Sequence, residues 1–300
     1  MGDGVTRRDA LIAAGAVGAV GAGALGAAGV IGLVSDDDAV PPEALRARVV
    51  ARAPADDPAA AAWQQANEVV VPLLAQKIAP PFLDAAGVAE LRVRALHDGS
   101  GLALRLEWED DSVDDLDGVG RYHDAVAVML PTRAATTPPP ITMGGGGTPV
   151  HILQWRATWQ RDVDSRGKTG VDQIYPRVVH DVMPDDVLPP ETAALYWVGR
   201  AAGNPLSLAT RETPVEQVVA EGFGTTTHLP STAARGRGTN EDGRWRVALG
   251  VPLEREGAGE PLQPGQTWHA AFAVWLGDRQ NRGGRKHYAN WIPLHLEERA

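Results

Sequence analysis

Leu91-Arg-Val-Arg-Ala-Leu-His-Asp-Gly-Ser-Gly-Leu-Ala-Leu-Arg-Leu-Glu-Trp108 is the stretch that decides the fold class. Apolar and polar side chains alternate on both sides of a five-residue turn, His97–Gly101. A period of two puts one set of side chains on one face of a strand, so the segment reads as a β-hairpin. Further strand candidates are Asp124–Leu130, Val150–Trp159, Trp245–Val251, Thr267–Trp275 and His287–Leu296. Pro- and Gly-rich stretches separate them, including Thr136–Thr148 and Thr225–Gly243. Helical periodicity is scarce; Pro214–Glu221 reads as one short helix, and no internal repeat is visible. Short strands joined by long, irregular loops predict an all-β, antiparallel β-sandwich.

Outside that core lie two other regions. Thr6-Arg-Arg-Asp-Ala-Leu-Ile12 has the twin-arginine pattern, followed by Leu11–Val34, which is rich in Ala and Gly and free of charge. Residues 1–34 therefore read as a twin-arginine signal, or as an anchor, since such a run is long enough to span a bilayer. The residues directly before Ser35-Asp-Asp-Asp38, Gly32-Leu-Val34, make no clean Ala-x-Ala site to mark a cleavage point. The Pro- and Asp-rich residues 35–60 read as a linker, and residues 61–300 as the folded domain. The expected location is the periplasm or the outer face of the cytoplasmic membrane, with a membrane tether through residues 11–34 as the variant.

Composition removes several function classes. With 300 residues and 44% hydrophobic content the chain can bury a sizeable core. A net charge of −10 gives no footprint for nucleic acid. The absence of cysteine removes disulfides, thiolate metal sites and covalent c-type haem. No serine sits in G-x-S-x-G, and the neighbours His97-Asp98 and His123-Asp124 would face opposite ways on a strand. Glu107-Trp-Glu-Asp-Asp111 offers carboxylates for acid–base work or calcium, but a solvated strand end explains it more simply. Gly144–Gly147 lacks the lysine and the helix start of a phosphate loop.

Two positions stand out. Met143 lies in Ile141-Thr-Met-Gly-Gly-Gly-Gly147, where glycines permit close approach to a flat ligand and a thioether is a soft metal ligand. Of the 28 basic residues only Lys77, Lys168 and Lys286 are lysines, and Lys286 lies in a second Gly loop, Arg282-Gly-Gly-Arg-Lys-His-Tyr288. An amine ligates a metal only when deprotonated, which an apolar setting favours. On residue chemistry alone, core packing for Met143 and solvent exposure for Lys286 remain the simpler readings.

The ordered series of pieces resembles a known family. It comprises Leu91–Trp108, Tyr122-His-Asp-Ala-Val-Ala-Val128, Met143-Gly144 and Pro149-Val-His-Ile-Leu-Gln-Trp-Arg-Ala157. It continues through Gly203-Asn-Pro-Leu-Ser207, Pro214-Val-Glu216, Gly222-Phe-Gly-Thr225 and Ala271-Phe-Ala-Val-Trp-Leu-Gly277 to the lysine before the last strand. Over most of residues 63–296 this is similar to the haem b (γ) subunit of the type II dimethyl sulfoxide reductase family. That family includes the γ subunit of ethylbenzene dehydrogenase and the corresponding subunits of dimethylsulfide dehydrogenase and of selenate and chlorate reductases.

The resemblance implies a β-sandwich like a carbohydrate-binding module, holding one b-type haem (iron protoporphyrin IX) between a Met and a Lys. The matching positions are Met143 and Lys286, with His287 and His151 as rival ligands and Arg156 or Arg285 as candidates to meet the propionates. If Lys286 points at the haem, alternation should turn His287 away. The implied role is non-catalytic: electrons pass between the iron–sulfur subunit of a molybdopterin enzyme and an external carrier such as a periplasmic cytochrome. Neutral Met and Lys ligands imply a relatively high potential. An acidic surface would suit a basic cytochrome. The competing reading is an exported carbohydrate-binding sandwich without haem, with its nine tryptophans stacking on sugars.

Overall fold

Strand alternation survives as pairing throughout the domain. A computed structural model describes residues 43–299, apart from 168–169, 178–188, 190–191, 193–195, 209 and 230–232. The twin-arginine segment, residues 35–42 and Lys168 lie outside the described residues. The strands are β1 (Leu45–Val49), β2 (Val69–Pro72), β3 (Leu74–Ala75), β4 (Glu90–His97), β5 (Gly101–Glu109), β6 (Ala125–Pro131) and β7 (Val150–Arg156). Then follow helix α1 (Ala157–Asp164) and β8 (Val215–Ala220), β9 (Thr227–His228), β10 (Arg235–Glu241), β11 (Arg244–Pro252), β12 (Trp268–Trp275), β13 (His287–Tyr288) and β14 (Ile292–Leu296). Among the described residues no helix is long and apolar enough to cross a membrane.

The hairpin that opened the sequence reading is β4–β5, with Arg92 opposite Glu107 and His97 opposite Leu102. Its Leu91, Val93 and Ala95 are fully buried, while Arg92 and Arg94 lie half-buried and pair with Glu68 at 3.1 and 3.0 Å. One sheet runs β10-β11-β5-β4-β1-β14 and ends on the first half of β12, with β2 on β4. The second half of β12 begins the other sheet, β12-β6-β7-β8-β9, which β13 and β3 extend on the far side. The sheets are antiparallel except at β1, which is parallel to both its neighbours.

Leu91, Leu104, Leu106, Val126, Val128, Leu130, Leu153 and Val274 fill the core between the sheets. Each fully hidden leucine contributes about 1.5–3 kcal/mol relative to exposure. Seven of the nine tryptophans are buried, and three of them, Trp108, Trp155 and Trp245, pack together at ring-centroid distances of 6.1 and 5.0 Å. That removes most of the indoles which the sugar-stacking reading relied upon.

Five local expectations are corrected. Leu45–Val49, inside the stretch read as linker, is a strand whose Leu45 and Ala47 are fully buried. Strand β7 stops at Arg156 because β6 begins at Ala125, directly opposite, and the chain turns into α1 instead of continuing to Trp159. Pro214–Glu221 holds strand β8 rather than a helix; its valines are β-branched and it covers the free edge of β7. The Gly-rich stretch 225–243 contains β9 and β10. Gly238 there is a packing device: a Cβ would come within 2.4 Å of the Trp155 ring. Finally, His287–Leu296 is broken at residues 289–291, because β13 and β14 pair with different halves of β12, one in each sheet.

Candidate functional site

The outer face of the second sheet is apolar where water would be expected, and a cavity of about 550 Å³ lies over it. Strand register builds its floor in rows. One row reads Tyr288, Ala273, Ala127, Gln154, Glu216 and the next reads Ala271, Met129, Ile152, Val218, His228. A third carries Trp275, Ala125 and Arg156. Alanines on β6 and β12 make the middle of this floor low and flat, which suits close approach by a planar group.

Met143 and Lys286 both line this cavity, reaching it from two loops far apart in sequence. Met143 adopts φ +67°, a left-handed backbone that costs a non-glycine residue about 1–3 kcal/mol and is maintained only by its surroundings. The surroundings are visible. Gly222 N–H donates to the Met143 carbonyl at 2.8 Å, and Trp291 Nε1 donates to the Pro139 carbonyl at 2.8 Å. Gly144 N–H donates to the Pro140 carbonyl, and at φ +82° a Cβ on Gly144 would sit 2.6 Å from the Thr148 carbonyl oxygen.

Lys286 is held by its loop in a comparable way. Gln76 N–H donates to the Lys286 carbonyl at 3.0 Å, Gln76 Nε2 to the Gly284 carbonyl at 2.6 Å, and Trp275 Nε1 to the Gly283 carbonyl at 3.0 Å. Its Nζ lies 5.2 Å from the centre of the Trp275 ring. Burial among apolar groups lowers the amine pKa to about 8. A half-buried amine with that bias reaches its neutral, metal-ligating form far more readily than a surface lysine.

The two rival histidines are directed elsewhere. His287 Nε2 accepts from the Gly87 N–H at 2.8 Å and its Nδ1 faces the Val274 carbonyl at 3.2 Å, so both ring nitrogens are engaged away from the cavity. His151 is fully buried on the inner face of β7, with Nε2 3.2 Å from Gln217 Oε1. Of the two arginines, Arg156 lines the cavity and Arg285 does not. Among the described residues no group of three or more His, Cys, Asp or Glu is arranged to hold a metal ion.

Burial, reinforced by the charge of Arg255, lowers the His151 pKa to about 4. A group that stays neutral in the fold but titrates near 6.5 when unfolded contributes stability above the unfolded value and loses it as pH falls towards 4. The shift corresponds to roughly 3 kcal/mol. Urea melts of His151→Gln at pH 7 and pH 4.5 are expected to show a smaller acid-induced loss than the parent; an unchanged loss would assign it to other groups.

Sequence reasoning missed the alanine floor and the polar end formed by Gln154, Glu216 and His228. The signal was present in Ala125–Leu130 and Ala271–Val274, whose two faces are both apolar but differ in size, alanine-rich outside and with larger Val, Leu and Phe side chains inside.

A family model described as ethylbenzene dehydrogenase matches residues 60–287, a span that includes both Met143 and Lys286. The chain belongs to the ethylbenzene dehydrogenase family. A protein of Haloferax mediterranei described as a respiratory nitrate reductase heme subunit is 26% identical over 245 residues, covering 81% of this chain and 69% of the relative. The chlorate reductase subunit gamma of Ideonella dechloratans is 25% identical over 247 residues, covering 81% and 80%. Within solved structures, a family 9 carbohydrate-binding module from Caldicellulosiruptor kristjanssonii in complex with cellotriose aligns at a TM-score of 0.43 and 9% identity. That alignment covers 86% of this chain and 95% of the module. The span matched by the ethylbenzene dehydrogenase family thus runs from β2 through β12 and includes Met143 and Lys286.

Proposed function

We propose that the chain is a non-catalytic electron-transfer subunit that binds one b-type haem in this cavity, where Met143 and Lys286 would hold its iron. The observation that carries the reading is the convergence of a thioether and a pKa-lowered amine on one flat-floored apolar cavity. The two relatives named as reductase subunits support it from a different direction.

Bound haem would supply reversible one-electron iron chemistry. The chain's part is to position and to insulate. The Met143 thioether is presented by a strained, multiply fastened loop, and the Lys286 amine is presented in a setting that eases its deprotonation. Alanines on β6 and β12 let a planar group lie close to the sheet, while Phe223, Trp275 and Tyr288 help to keep water from it. Two neutral ligands add no negative charge to the iron, which favours a relatively high potential. The partners in this reading are a molybdopterin catalytic subunit, an iron–sulfur subunit that exchanges electrons with the haem, and a periplasmic cytochrome or similar carrier. Residues 1–34 would send the chain through the twin-arginine route to the periplasm or the outer face of the cytoplasmic membrane.

The test is the absorption spectrum of the purified full chain, oxidised and dithionite-reduced, with a pyridine haemochrome assay. A low-spin b-type spectrum is expected, and Met143→Leu, which keeps the side-chain volume, is expected to alter it. A protein that stays colourless after haemin is added would overturn the reading.

A further inference from the structure

The polar side chains around the cavity are not spread evenly. Gln76 is spent on the loops around it, where its amide bonds Ile78 N–H, Ala79 N–H and three carbonyls. At the opposite end, Gln154, Arg156, Glu216 and His228 come together on β7, β8 and β9. Lys286 enters beside β13. The strands from β13 through β12 and β6 to β7 and β8 are three to four spacings apart, or about 14–19 Å. A ligand whose metal centre meets Lys286 would therefore carry its peripheral groups towards this far end.

The chemistry at that end favours an acid group. Glu216, itself buried, serves two basic side chains at once: Arg156 Nη2 donates to its Oε2, and His228 Nδ1 lies 2.6 Å from its Oε1. Arg156 also donates to Gln154 Oε1 at 3.2 Å, and its buried Nε has no hydrogen-bond partner. The guanidinium sits 4.8 Å from the Trp159 ring, which fixes its plane, and Arg211 occupies Trp159 at 4.0 Å while paired to Asp162 at 3.0 Å. Burial works against the Arg156 charge. One carboxylate shared by two basic groups leaves room for a second anion, and a guanidinium fork fits a carboxylate.

Resting on the haem reading, we propose that Arg156 and His228, positioned by Glu216, form a carboxylate-recognition subsite that receives propionate from the porphyrin edge and sets the orientation of the macrocycle in the cavity. The subsite discriminates a porphyrin with free acid groups from one whose acids are masked.

The experiment titrates the full-length, haem-free chain with haemin and with haemin dimethyl ester, followed by the Soret band. The parent is expected to bind the free acid roughly tenfold to a hundredfold more tightly, the range of a charge-assisted hydrogen bond. The double variant Arg156→Gln/Glu216→Gln replaces the ion pair by a neutral one and so avoids stranding a buried charge. It is expected to lose most of the preference for the free acid while keeping the ligand-field spectrum of the parent. His228→Gln, at an exposed position, is expected to lose part of the preference. Equal binding of acid and ester by the parent, or an undiminished preference in the double variant, would overturn the subsite and leave the haem reading standing. Binding of neither form by the parent would overturn both.

Discussion

Lys286→Ala is expected to turn a low-spin, six-coordinate ferric spectrum into a high-spin one and to weaken haem retention by more than the roughly 10–100-fold typical of removing a mere supporting partner of a metal ligand. The reason is local. The amine reaches the cavity from a loop held by Gln76 and by Trp275, and no other lysine, cysteine or methionine lies near it in sequence to take over. His287 is the adjacent nitrogen donor, but its ring is committed to Gly87 and Val274 on the other side of the strand. The unliganded variant should still melt within a few degrees of the parent, because a half-buried amine in an apolar setting adds little to stability. Absorption and electron paramagnetic resonance spectra of the loaded variant check the first part, and a thermal melt of the haem-free protein checks the second. A variant that remained low-spin with unchanged affinity would show that Lys286 is not a ligand.

Ala127→Phe is expected to weaken haem binding sharply with the fold intact. Ala127 stands directly opposite Ala273 at the centre of the flat floor, and both side chains point out of the core. A phenyl ring there projects into the cavity rather than into packed protein, so the penalty falls on the ligand. A steric cost of about 3 kcal/mol, at the upper end of that seen for overpacking, weakens binding roughly a hundredfold. The comparison variant is Val128→Ala, one residue along on the inner face. It should cost stability, at about 1–3 kcal/mol for loss of a buried aliphatic group, and leave haem affinity alone. Parallel haemin titrations and urea melts separate the two, and a haem-replete Ala127→Phe protein would place the ligand elsewhere.

These opposite outcomes at neighbouring residues mark the boundary of what a sequence can say. The β4–β5 hairpin, strands β6, β7, β11 and β12 and the two Gly loops carrying Met143 and Lys286 were legible because alternation and turn chemistry are local properties of a chain. Family resemblance singled out those two residues, although their own chemistry favoured blander readings.

The remaining features arise from pairing between distant segments. In Ala125–Leu130 every residue is apolar, so periodicity cannot say which face packs inward; only the sandwich makes valine the core and alanine the cavity floor. Strand β1 was hidden in a Pro- and Asp-rich stretch because its partners, β14 and β4, are supplied by distant parts of the chain. Glu216 and His228 become neighbours of Arg156 only through the register of β7, β8 and β9. The sequence by itself determined the strongly alternating strands, the two Gly loops and the chemical types available. Tertiary structure decided which of them share a cavity, because facing and burial depend on partners far away along the chain.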